Sequence, residues 1–166
     1  MTAVGLLVLR LLLAALLAGH ALQKLAGWFQ GMGPTRTGEM FETWGFRPGR
    51  QMVLLAGACE IAGAFLLATG LITRLGCAIV IGTMIVAAAP NAKNGLWAHL
   101  GGCEVPVVYA GLGVVLAITG PGTLSLDHAF GIPDGHVGGA LVAVVVGVLA
   151  SIPPLLRRNQ ALRSTS

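Results

Sequence analysis

Residues 57–71 read GACEIAGAFLLATGL, an apolar run rich in Gly and Ala with one carboxylate, Glu60, set inside it. The chain around this run is 55% hydrophobic and only 10% charged, with a mean hydropathy of +0.85. A soluble domain carries about a quarter charged residues. There is too little charge here to cover a water-facing surface, so the bilayer is the expected solvent for most of the chain. An ionisable group inside such a run marks a candidate functional site and calls for a partner. The chain repeats the device at 101–115, GGCEVPVVYAGLGVV, which carries Glu104. Both segments read G-x-C-E followed by a β-branched residue, about 44 positions apart. That echo suggests a parallel internal repeat in which helix pairs one–two and three–four correspond. A chance match over five residues is the competing explanation.

Working outward from this run, four more apolar segments of membrane-helix length appear. The predicted spans cover about residues 4–26, 52–71, 75–90, 102–119 and 136–156. A helix needs about 20 apolar residues to cross the hydrocarbon core. The first run carries Arg10, His20 and Lys24, which fall within an arc of roughly 80° at about 100° per residue. That charged stripe should face other helices or a cavity, while the leucines of the run face lipid. Snorkelling to the interface is the plainer reading for Lys24, near the helix end. Residues 28–51 form the longest polar segment, broken by Gly-Pro and Arg-Pro-Gly. Within it Met40, Phe41, Trp44 and Phe46 suggest a short amphipathic piece at the membrane interface. In the second run Gly57, Glu60, Ala64 and Leu67 share a face, and small residues there let helix backbones approach. The short link Ile72–Arg74 makes spans two and three antiparallel neighbours. The fifth run is Val-rich, carries no charge, and reads as a plain peripheral span.

The fold class expected is all-α integral membrane. Residues 1–130 make a four-span bundle with the interfacial loop 28–51. Residues 131–166 make a fifth span and a short basic tail. The N-terminal run is expected to be retained, because no Lys or Arg precedes it and no clear A-x-A site follows. Seven Lys and Arg side chains (Arg36, Arg47, Arg50, Lys93, Arg157, Arg158 and Arg163) fall on one side of the five spans, against Arg74 on the other. The richer side should be cytoplasmic, which places the N-terminus outside and the C-terminus inside. Trp28, Trp44 and Trp97 then lie near the cytoplasmic interface.

The net charge of +4 is read as loop charge rather than a nucleic-acid footprint, since no basic stripe has interleaved aromatics. Cys59, Cys77 and Cys103 show no C-x-x-C and no zinc-ligand spacing, so neither a metal site nor a disulfide framework is expected. They read as small packing residues; a redox-active thiol pair is the sharper alternative. No haem, flavin or nucleotide motif occurs, and no serine lies on a nucleophile elbow.

Depth brings the polar groups together. Glu60 is about eight residues into its span, roughly 12 Å deep at the helical rise and level with His20. Lys24 is within reach. Glu104, Asn91, Lys93 and His99 are expected at the same end of the bundle. These groups would line a small polar cavity for a polar ligand or a quinone head group, with His20 titrating in the useful pH range and Glu60 a proton carrier. The alternative is a buried network that only fixes helix register. Arg10 sits alone towards the other end, where Asp127 in the outer loop is its expected partner.

Three sequence features together resemble the DoxX family. They are Arg10 with GHALQKL (19–25), G-x-x-E-x-x-G (57–63) running into GLITR (70–74), and GPGTLSLD (120–127). The resemblance covers about residues 5–130. It implies a four-helix membrane bundle, to which this chain adds a fifth span. By match to the family pattern, Arg10, Lys24, Glu60, Arg74, Glu104 and Asp127 are carried over as site or structural residues. Similar proteins include small membrane subunits of thiosulfate:quinone oxidoreductase and membrane partners of thiol and oxidative-stress enzymes. The functional expectation is therefore a redox-linked subunit tied to thiosulfate or thiol oxidation and the quinone pool. His20 and Glu60 would handle protons, and Lys24 would orient a ligand oxygen. The alternatives are a non-catalytic anchor or assembly factor for soluble redox enzymes on the cytoplasmic side, and a small-solute or proton transporter. Homo- or hetero-oligomers fit each of these.

Overall fold

The computed structural model describes residues 1–132 and 137–164. The end of the expected outer loop at 133–135, the expected start of the fifth span at 136 and the tail residues 165–166 lie outside the described residues. Among the described residues the regular structure is helical. The helices are α1 (Thr2–Ala26), α2 (Gly33–Thr43), α3 (Gly49–Thr69), α4 (Thr73–Ala88), α5 (Glu104–Thr119), α6 (Leu126–Ala129) and α7 (Val137–Arg163). Two 3-10 turns, Ala92–Asn94 and Ala98–Leu100, connect α4 to α5.

The apolar runs become helices because lipid offers no partner for backbone N–H and C=O, so these groups must pair within the segment. Leu and Ala accept that geometry at little entropic cost. The helices α1, α3 and α7 have 25, 21 and 27 residues and are long and apolar enough to cross a membrane. Each of α4 and α5 has 16 residues, about 24 Å at the helical rise and short of the ~30 Å hydrocarbon core. The third and fourth runs, read from the sequence as full spans, are thus shorter apolar helices. Pro90 has no N–H with which to prolong α4, and Gly101 and Gly102 precede α5.

Four helices close a ring. The contacts run from α1 to α3, α3 to α4, α4 to α5, and α5 back to α1. Leu13, Leu17, Leu67, Cys77, Val80 and Leu116 fill the centre. Leu12, Leu16, Leu55, Leu141 and Leu149 point outward and are exposed. On a soluble protein such a surface would be a liability; on a membrane protein it is the lipid face.

Helix α7 lies outside this ring. It packs against α4 and α5, and its buried stripe is Ala140, Ala143, Gly147 and Ser151. A Cβ on Gly147 would lie 2.7 Å from the Ala78 carbonyl oxygen, and one on Gly82 would lie 2.8 Å from the Gly147 oxygen. Only glycine allows the two backbones to cross this closely.

The turn between α3 and α4 is held by two buried charges. Arg10 is 1% exposed and donates to Leu67 O at 3.0 Å, Leu124 O at 2.9 Å, Ala68 O at 3.4 Å and Pro121 O. It thereby joins the last turn of α3 to the loop after α5, where a cation also suits the helix dipole. Asp127 accepts the Ile72 N–H at 2.6 Å on one carboxylate oxygen and the Thr73 N–H at 2.9 Å on the other. It caps the start of α4 and holds Ile72 at φ 43, a backbone region costly for a β-branched residue. The expected Arg10–Asp127 ion pair is therefore corrected. Each group spends its bonds on unpaired backbone atoms at helix ends, which have no other partner in lipid. Gly70 sits between them at φ 64, and a Cβ there would lie 2.8 Å from the Arg10 guanidinium.

Candidate functional site

The charged stripe of α1 faces inward. At the end of the bundle where α1 finishes and α3 begins, Lys24 Nζ donates to both Glu60 oxygens at 2.6 Å. The Glu60 side chain is 4% exposed and that of Lys24 18%. This is the ion pair found among the described residues, and it ties the last turn of α1 to the middle of α3. An ammonium has three donors, and this pair uses two of them. One turn back, the His20 ring lies 5.8 Å from the Tyr109 ring of α5 at an interplanar angle of 58°. His20 Nδ1 hydrogen-bonds Gln23 Oε1 at 3.1 Å.

Two cavities meet at Lys24. The larger has a volume of about 630 Å³ and lies between α2, α3, α4 and the C-terminal half of α7. Its walls are mostly apolar, with Phe41, Trp44 and Phe46 on one side. Lys24, Glu60 and Cys59 supply polar atoms within it, and Arg47, Arg157 and Arg158 also line it. The smaller, of about 260 Å³, is lined by His20, Gln23, Lys24 and Gln30 among others. Lys24, Thr37 and Met40 line both. The Lys24 side chain thus stands between a polar vestibule and an apolar cavity. An apolar cavity with a few convergent polar groups is the usual form of a small-molecule site.

Of the residues expected to converge, His20, Lys24 and Glu60 do so. Four others do not. Glu104, in the first turn of α5, accepts the Ala98 N–H at 2.9 Å and ties down the 3-10 connection. Lys93 and His99 are exposed on that connection, and Asn91 precedes it. None of these four lines either cavity. Arg74 lies across Gly139 of α7, where a Cβ would come within 2.9 Å of its Nε. Among the described residues it has no carboxylate at ion-pair distance. The G-x-C-E echo also parts here. Glu60 is buried in mid-helix with Cys59 at the cavity, whereas Glu104 opens a helix and the Cys103 thiol reaches Gly95 O at 3.5 Å. The cysteines are free, Cys77 being buried in the core.

Sequence reasoning missed Tyr109, Gln23 and the whole contribution of α7. Tyr109 was visible as the sole tyrosine of the chain, lying in an apolar run. The small-residue stripe of α7 was the signal that this helix packs closely enough to wall a cavity.

The family model described as DoxX fits residues 5–99. The match takes in Arg10, Lys24, Glu60 and Arg74 and ends before α5, so GPGTLSLD and α7 lie beyond it. No curated protein and no solved structure matches the chain.

Proposed function

Since this chain belongs to the DoxX family of membrane proteins, we propose that it is the membrane subunit of a redox system. In this reading it offers a lipid-accessible quinone site while a partner enzyme oxidises thiosulfate or another sulfur donor. The observation that carries this reading is the apolar cavity of about 630 Å³ with the Lys24–Glu60 pair in its wall.

The residues fit a quinone. Its isoprenoid tail needs an apolar channel, and its head group needs a hydrogen-bond donor beside a proton-holding group. When bound, a quinone would accept two electrons and two protons, the electrons coming from the sulfur donor through the partner. The third donor position of Lys24 orients the head-group oxygen. Glu60 holds a proton, and His20 with Gln23 lines the vestibule through which protons arrive from water. The partner docks on the arginine-rich, cytoplasmic side, with the N-terminus outside. The test is a lipid extract of the purified protein, together with decylubiquinone titration of the wild type and of Glu60→Gln. A bound quinone lost in the variant supports the reading. A quinone-free extract with no decylubiquinone binding removes it.

One observation favours a second reading, a non-catalytic anchor for soluble redox enzymes. The Lys24–Glu60 pair is closed, with both carboxylate oxygens engaged, as a structural tie would be. In that case Glu60→Gln leaves partner activity intact, while changes in 28–51 abolish co-purification.

A further inference from the structure

The arginine end of the large cavity is a separate feature, and nothing said of quinone uses it. Residues Ala150 to Arg158 of α7 carry one cavity wall over about 12 Å at the helical rise. At the outer end stand Arg47, Arg157 and Arg158. Among the described residues none of the three has a carboxylate at ion-pair distance. Arg158 is fixed in place. Its guanidinium lies 5.7 Å from the centroid of the Phe46 ring, and one Nη donates to Asn159 Oδ1 at 3.3 Å. Its Nε–H is buried and has no acceptor. Three guanidiniums suit a phosphate, which they grip through paired N–H groups. Directly inside them the cavity is apolar and bounded by Trp44, Met52 and Pro154.

We propose that this mouth binds an anionic phospholipid, with its phosphate on Arg47, Arg157 and Arg158 and one acyl chain in the apolar part of the cavity. Charge selects the headgroup, and the cavity selects a phosphate that carries a chain. The lipid comes from the leaflet on the arginine-rich side. Arg157 and Arg158 stand on α7, beyond the family match, whereas Arg47 lies within it.

The test is native mass spectrometry of the full-length, delipidated protein titrated with dioleoyl phosphatidylglycerol or dioleoyl phosphatidylcholine. The expected result is one retained phosphatidylglycerol, held about tenfold or more tightly than phosphatidylcholine, as one charge-assisted contact would give. Arg158→Gln should bring the two lipids level. Arg158→Lys should keep part of the preference, and Arg36→Gln, which does not line the cavity, should keep all of it. Inorganic phosphate in excess should not displace the lipid. Equal retention of the two lipids in the wild type would overturn the proposal. So would a preference that survives in an Arg157→Gln/Arg158→Gln protein. Displacement by phosphate would show a free-anion site instead and overturn the lipid assignment. An acyl chain and a quinone tail would share the apolar part of the cavity, so the lipid titration is run on quinone-free protein and decylubiquinone binding on delipidated protein, and each can fail without the other.

Discussion

Replacing Lys24 with Met should destabilise the bundle more than replacing Glu60 with Gln, although both remove the same ion pair. Lys24→Met leaves Glu60 as a lone carboxylate at 4% exposure. Stranding one partner of a buried pair costs about 3–5 kcal/mol. Glu60→Gln leaves an ammonium at 18% exposure, on a long flexible stem that can reach the polar vestibule and its water. The Gln oxygen also still accepts a hydrogen bond. About 1–2 kcal/mol is expected for that change, the cost of a weakened hydrogen bond to a charged group. The double change Lys24→Met/Glu60→Leu removes both charges and should recover most of the loss, since apolar replacement of a buried pair is often neutral. The assay is reversible unfolding in mixed micelles, followed by helical circular dichroism. Equal losses in the two single variants would refute the reasoning about unequal burial. A double variant no better than Lys24→Met would show that the pair is worth more than the cost of burying it.

Four further outcomes follow from the geometry. Ala56→Trp, at the cavity wall one turn before Glu60, should keep the fold and abolish decylubiquinone binding; tight binding in that variant would place the ligand elsewhere. Asp127→Ala frees two N–H groups at the start of α4 and should cost about 2–4 kcal/mol in the same unfolding assay, at about 1–2 kcal/mol for each unsatisfied group. Gly147→Leu drives a side chain into the α4 backbone and should loosen α7, seen as faster proteolysis after the Gly131 region while the α1–α5 core stays protected. Maleimide labelling in detergent should reach Cys103 and Cys59 and spare Cys77, with decylubiquinone slowing the reaction at Cys59 alone.

The sequence made some parts of this architecture plain and hid others, for identifiable reasons. The scarcity of charge left the bilayer as the only solvent, and lipid permits few backbone solutions, so an all-helical fold was legible. The stripe of Arg10, His20 and Lys24 was legible because the helical period fixes which side chains share a face. The depth count brought Glu60 within one turn of its partner. The backbone partners of two carboxylates were not legible. Asp127 and Glu104 each capture backbone N–H groups that end-of-helix geometry leaves open, and sequence spacing does not show which donors those will be. The ends of α4 and α5 were legible to within about two residues, because the polar run from Asn91 and the Gly101-Gly102 pair break both helices. A small polar cavity at His20, Lys24 and Glu60 was expected, but its large apolar part was not legible. It depends on α7 approaching α4 through Gly82 and Gly147, a contact between residues far apart in the chain whose only local trace is a line of small side chains.

The central claim is that the Lys24–Glu60 pair is the polar wall of a quinone site. The most direct measurement is a density map of the protein purified in its native lipid and supplied with decylubiquinone. Ring-shaped density against Lys24 Nζ and the Glu60 carboxylate is expected, lost in Ala56→Trp. A map in which the pair stays closed, with no head group within hydrogen-bond distance at saturating ligand, would contradict it.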